Sequence, residues 1–196
     1  MSARRNSAVV PTPWSTVGPF FGITVTKANS VRAIAAPGSK GERVKLACAV
    51  FDRHGACVPD ALIEIWQANA EGKYDHPADR QLKKIDPAFR GFGRQITDSN
   101  GACEFETIRP GRVPGPLGKL QAPHLEAGVF TRGVLKILAT RIYFAGDPAN
   151  EECPVLALVP KARRTTLLAQ PVAGARGAWR HEIHLSGPRE TVFFDL

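Results

Sequence analysis

The sequence predicts an all-β chain, a two-sheet antiparallel β-sandwich with one short helix and long loops. Three observations carry this. Several short runs alternate apolar and polar residues with period two, the spacing of a half-buried strand. The chain is rich in turn formers, with 18 Gly and 16 Pro among 196 residues, and they fall between the runs. A single stretch, Lys161 to Ala169 after Pro160, reads as a helix.

Taken in order, Arg43 to Phe51 alternates, with Val44, Leu46, Cys48 and Val50 on one side. Asp52-Arg53-His54-Gly55 is a turn signal. Asp60 to Gln67 sets Leu62, Glu64 and Trp66 against Ala61, Ile63 and Ile65. Asp98-Ser99-Asn100-Gly101 makes a tight turn before a strand from Ala102 to Ile108. Further strands are expected at Leu125 to Thr131, Leu135 to Phe144, Val155 to Val159 and Trp179 to Leu185. Residues 1–10 read as a flexible tail and 11–196 as one domain.

Composition bounds the function. Hydrophobic residues make up 43%, enough for one sizeable core. No apolar run is long enough to span a bilayer. Ala8-Val9-Val10 before Pro11 is too short for a signal-peptide apolar region. A cytoplasmic protein is therefore expected. Cys48, Cys57, Cys103 and Cys153 show no C-x-x-C spacing, which argues against a zinc ribbon and for reduced, mostly buried thiols. The net charge is +8 with a pI near 9.7. The positive residues are spread, and the densest cluster is only Lys161-Ala162-Arg163-Arg164. Nucleic-acid and membrane binding are not expected; an acidic ligand or an acidic partner suits the charge better. His181 and His184 are three apart on an expected strand, so they face opposite sides and cannot share a metal. His54 and His76 lie in turn-rich segments, and Gly91-Phe92-Gly93 lacks the helix that a phosphate loop needs.

Several blocks, in order, carry a resemblance. They are Thr12-Pro13-Trp14-Ser15-Thr16-Val17-Gly18-Pro19-Phe20-Phe21, then Asp60 to Ala68, then Gly72-Lys73-Tyr74-Asp75. Phe92-Gly93-Arg94 with Thr97 to Gly101 follows, then Thr107 to Pro114 and Ala122-Pro123-His124-Leu125-Glu126. Arg141-Ile142-Tyr143-Phe144, Cys153-Pro154-Val155-Leu156 and the ending Glu190 to Leu196 complete the set. Any one block is weak, but together over residues 11–196 the chain resembles the intradiol ring-cleaving dioxygenases.

The resemblance implies a ferric site of two tyrosines and a His-x-His pair. Tyr74 and His124 match the first tyrosine and first histidine, while Val113 and Glu126 stand at the second of each. Ferric iron prefers anionic oxygen and accepts imidazole. Val113 has no donor atom; Glu126 has one and shares a strand face with His124. The half-lost site, the absence of a helical domain ahead of the signature and the Phe-Phe-Asp-Leu ending resemble the iron-free α chains of the family's two-chain members. Such a chain is implied to bind no metal itself. It is implied to pair in an (αβ)n hetero-oligomer with a homologous β subunit that holds Fe(III). The implied substrates are 3,4-dihydroxybenzoate and O2. The resemblance places Arg132, in Phe130-Thr131-Arg132-Gly133, near the substrate, where a guanidinium fork suits a carboxylate. Thr16, Gly18 and Pro19 are implied to wall the same cavity, Gly18 allowing close backbone approach.

Blander readings stay open beside these. Tyr74 and His124 can be buried polar residues with ordinary hydrogen bonds, Arg132 a surface cation at a strand end, and Thr16 to Pro19 a plain turn. Two other classes also stay open: a non-enzymatic β-sandwich binding module, and an active single-chain dioxygenase using Tyr74, His124 and Glu126.

Overall fold

A computed structural model describes residues 29–195. The expected tail, the Trp14, Phe20 and Phe21 signature, and Thr16, Gly18 and Pro19 lie outside the described residues. Eight strands follow in order: β1 (Arg43–Phe51), β2 (Leu62–Trp66), β3 (Phe92–Ile96), β4 (Ala102–Ile108), β5 (His124–Phe130), β6 (Leu138–Phe144), β7 (Leu168–Pro171) and β8 (Ala178–His184). One helical turn, α1, covers Ala149–Glu152.

The chain is mostly β, as the alternation predicts, but the expected sandwich of two antiparallel sheets is corrected. The strands form one mixed sheet in the order β3-β2-β5-β6-β7-β8-β1-β4. Two neighbouring pairs run parallel, β1 with β8 and β6 with β7. The four-residue β7 joins what would otherwise be two separate sheets. Alternation reports which face a residue takes and not strand direction, so parallel pairing leaves no mark in it. The two edge strands are then bridged by one extended segment. Val31 and Arg94 exchange backbone hydrogen bonds of 2.7 and 3.0 Å, and Ile34 N donates to Glu106 O at 3.0 Å. The sheet is thereby nearly closed into a barrel, which hides its edges.

The barrel interior is the main core. Val44, Leu46, Cys48 and Val50 of β1 meet Ile63, Ile65, Phe105, Leu125, Val129, Ile142, Phe144 and Ile183 there. A second, smaller cluster lies outside the sheet and packs Tyr143 against Ala122, Cys153, Leu156, Val159 and Leu167. This explains two further corrections. Val155 to Val159 is not a strand but a turn and a 3-10 helix at Leu156–Leu158, whose apolar residues cover the outer face of β6. Lys161 to Ala169 is a 3-10 helix at Lys161–Leu167 that runs directly into β7. All four cysteines are free; Cys48 and Cys153 are buried, Cys103 is half-buried and Cys57 is exposed.

Candidate functional site

The candidate site sits on the outer face of the sheet, where β2, β5 and β6 lie side by side. Leu125, Ala127 and Val129 of β5 point into the barrel, so His124 and Glu126 point out. Register sets their neighbours. Trp66 pairs with Glu126 across β2–β5, Glu126 with Arg141 across β5–β6, and His124 with Tyr143. The outer face thus carries two rows, Trp66–Glu126–Arg141 and His124–Tyr143.

The turn bearing Tyr74 is fixed on this face by buried polar groups. Asn69 Oδ1 accepts from the Glu71 and Lys73 amides at 3.0 Å each. Asp79 Oδ2 accepts from Tyr74 N at 2.8 Å, and Lys73 Nζ donates to Asp79 O at 2.5 Å. Burial pushes the Asp79 carboxyl up, but the Gln81 and Tyr74 amides and the Lys73 ammonium outweigh it and pull its pKa down to about 2. Two glycines let this turn press on the loop that carries Val113. Gly72 has φ +76, and a Cβ there would lie 2.0 Å from Arg112 O; at Gly111 it would lie 2.4 Å from Ala70 O. Tyr74 stacks on Trp66 with centroids 6.0 Å apart. A cavity of about 630 Å³ opens beside Tyr74 and Val113, walled by Trp66, His76, Arg80 and Pro114.

Beside His124 and Tyr143 lies an ion-pair network. Arg141 holds Glu126 with two nitrogens, Nη2 to Oε1 at 2.7 Å and Nε to Oε2 at 3.2 Å. Its remaining nitrogen, Nη1, donates to Gln121 Oε1 at 2.6 Å and lies 3.5 Å from the Tyr143 hydroxyl. His124 is buried, and its Nδ1 lies 2.7 Å from Ala122 O. Its Nε2 is 3.3 Å from Glu126 Oε1 but is not aligned for a hydrogen bond, so that nitrogen has no directed partner. Burial raises the Glu126 carboxyl, and the adjacent Arg141 guanidinium outweighs it and holds it below the usual glutamate range. Tyr74 is pushed up to about 12, first by burial and then by the Glu126 charge, with Arg141 opposing.

Tyr74 and Val113 thus share one cavity wall, while His124 and Glu126 stand two residues apart on the outer face of β5, with the Glu126 charge within electrostatic reach of Tyr74. The structure does not bring Arg132 to them. Arg132 follows the far end of β5, roughly 20 Å from Glu126 at strand rise, and pairs with Asp60 Oδ2 at 2.8 Å. Sequence reasoning gave no role to Arg141, Gln121 or Tyr143. A signal existed: a half-buried Glu126 needs a cation, and Arg141 shares a face with Tyr143 in the next strand, whereas Lys136 does not.

A family model described as Dioxygenase matches residues 16–185. The chain belongs to the intradiol ring-cleaving dioxygenase family. Within it, the chain is 37% identical to a protocatechuate 3,4-dioxygenase alpha chain of Burkholderia cepacia, over 94% of this chain and 97% of that one. It is 35% identical to the alpha chain of Pseudomonas putida, over 94% and 96%. A beta chain of Burkholderia cepacia is 37% identical over 66% of this chain and 56% of its own length. In fold, the chain resembles an intradiol ring-cleavage dioxygenase from Tetranychus urticae, with TM-score 0.61, 19% identity and coverage of 92% and 96%. It also resembles the dioxygenase domain of a carbohydrate-binding fusion protein from Streptomyces sp. SirexAA-E, with TM-score 0.62, 23% identity and coverage of 91% and 99%.

Members of the intradiol family use ferric iron. The residues at this chain's site do not fit it. Val113 is buried and offers no donor. The carboxylate of Glu126 is committed to Arg141, whose positive charge sits among the would-be ligands. Among the described residues no group of three or more His, Cys, Asp or Glu side chains is placed to hold a metal ion. No helix among them is long and apolar enough to cross a membrane.

Proposed function

We propose that this chain is the iron-free α-type subunit of a protocatechuate 3,4-dioxygenase. It pairs with a homologous β chain that carries Fe(III) and completes that chain's active-site cavity. The assembled enzyme cleaves 3,4-dihydroxybenzoate between its hydroxyl-bearing carbons, inserting both atoms of O2 to give 3-carboxy-cis,cis-muconate. One observation carries this reading: of the positions that the family resemblance marks for ligands, Val113 offers no donor and the Glu126 carboxylate is committed to an internal ion pair with Arg141. Near-full-length likeness to alpha chains supports it. A cytoplasmic setting accompanies it, in keeping with four free cysteines.

In this reading Arg132 receives the substrate carboxylate in the partner's cavity. Its position far from Tyr74 and His124 supports service to a different site. Its side chain is 74% exposed and paired only with a 59% exposed Asp60. Such a surface pair is worth about 0–1 kcal/mol, so the guanidinium can turn to a new carboxylate at little cost. Thr16, Gly18 and Pro19 wall the cavity by backbone approach. The test is co-expression with an iron-bearing β chain, followed by gel filtration and assay of ring cleavage. Two separate peaks would end the proposal.

A further inference from the structure

We propose that Arg141 is the residue that closes this site to metal. Replacing the two lost ligands is then insufficient to make a metal site, and the guanidinium must also be removed. This rests on the iron-free half of the proposed function alone, and its test needs no partner chain.

The geometry gives the reason. All three guanidinium nitrogens are engaged, on Glu126 Oε1, Glu126 Oε2 and Gln121 Oε1, and the side chain is only 18% exposed. The Phe194 ring lies 5.8 Å from the guanidinium carbon. These contacts hold the Arg141 guanidinium in place on the sheet face. One oxygen, Glu126 Oε1, stands between the guanidinium and the bare Nε2 of His124. An imidazole whose Nδ1 is tied to a backbone carbonyl presents Nε2 as its ligand nitrogen. Here that nitrogen faces a carboxylate already neutralised by an arginine. The local charge is balanced without an ion. Val113→Tyr with Glu126→His would supply a phenolate and an imidazole, yet it would strip Arg141 of its counter-charge and set a fixed cation beside the incoming ion. Like charges in a half-buried site repel more strongly than in water.

The experiment compares full-length chains carrying V113Y/E126H with and without R141Q. Each is loaded with iron, counted for metal per chain and scanned for the visible phenolate-to-iron band. The double variant is expected to stay far below one iron per chain. The triple variant is expected to approach one and to colour. Equal loading of the two would overturn the proposal, as would a triple variant with native circular dichroism that takes up no more iron than the double. Should the triple variant fail to fold, R141Q alone decides. It keeps the Tyr74, His124 and Glu126 donors and should bind Co2+ at least about 100-fold more tightly than the parent chain, read from the cobalt absorption. Cobalt affinities within about threefold of each other, a change too small for removal of a charge, would overturn it.

Discussion

Glu126 and Arg141 are direct register partners on β5 and β6, and their side chains meet at 2.7 Å on the outer face of the sheet, beside His124. The pair is cross-strand and half-buried, with Arg141 18% and Glu126 38% exposed. Breaking it from either side leaves a poorly solvated charge. Arg141→Gln should therefore cost roughly 1–3 kcal/mol of stability. A double-mutant cycle with Glu126→Gln should return a coupling of about 1 kcal/mol in denaturant unfolding. A coupling indistinguishable from zero would mean that the pair is decoration.

A second expectation concerns acid. His181 is buried on the core side of β8, 2% exposed, beside Ile183. Burial pulls its pKa down to about 4, with a hydrogen bond to the Leu168 backbone opposing. The folded chain thus keeps this imidazole neutral, while the unfolded chain takes up a proton near pH 6.5. Stability is full above about 6.5 and is lost as pH falls toward 4, by roughly 3 kcal/mol for the whole window. His181→Phe should flatten the fall of the unfolding midpoint between pH 7 and pH 4.5. An unchanged slope would assign the acid sensitivity to other groups.

The Tyr74 turn gives a steric test. Alanine at Gly72 would place its Cβ 2.0 Å from Arg112 O at φ +76, whereas at Gly174, with φ +74, nothing lies within 4 Å. Both substitutions pay for left-handed backbone, about 1 kcal/mol. Gly72→Ala must in addition part the Tyr74 turn from the Val113 loop, and should cost at least roughly 2 kcal/mol more. Similar melting temperatures for the two variants would show that the turn is not pressed on that loop.

Much of this was legible in the chain. The Val44, Leu46, Cys48, Val50 alternation gave β1 its residues and its inward face. Sheet topology was not legible. The four residues of β7 are too few to show a period, and their parallel partner β6 is distant in sequence. Val155 to Val159 misled because its apolar residues serve the second core around Tyr143 instead of alternating across a sheet. Arg141 was overlooked because its meaning depends on register, which places it opposite Glu126 and not one residue to either side.

If Arg132 serves the partner's cavity, its loss should act on substrate charge and not on metal. Arg132→Ala should raise KM for 3,4-dihydroxybenzoate about ten- to a hundredfold, the cost of one charge-assisted hydrogen bond. It should leave KM for catechol, which has no carboxylate, nearly unchanged, and leave the iron spectrum as it was. Gly18→Val should hurt both substrates. Equal KM rises in Arg132→Ala would return Arg132 to its role as the partner of Asp60.

The most direct test is a count of iron in the co-purified complex of this chain with its β partner. One ferric ion per αβ pair, with none retained when this chain is isolated, is the expected result. Two ions per pair, or about one per isolated chain with a visible phenolate band, would contradict the assignment of this chain as the iron-free subunit.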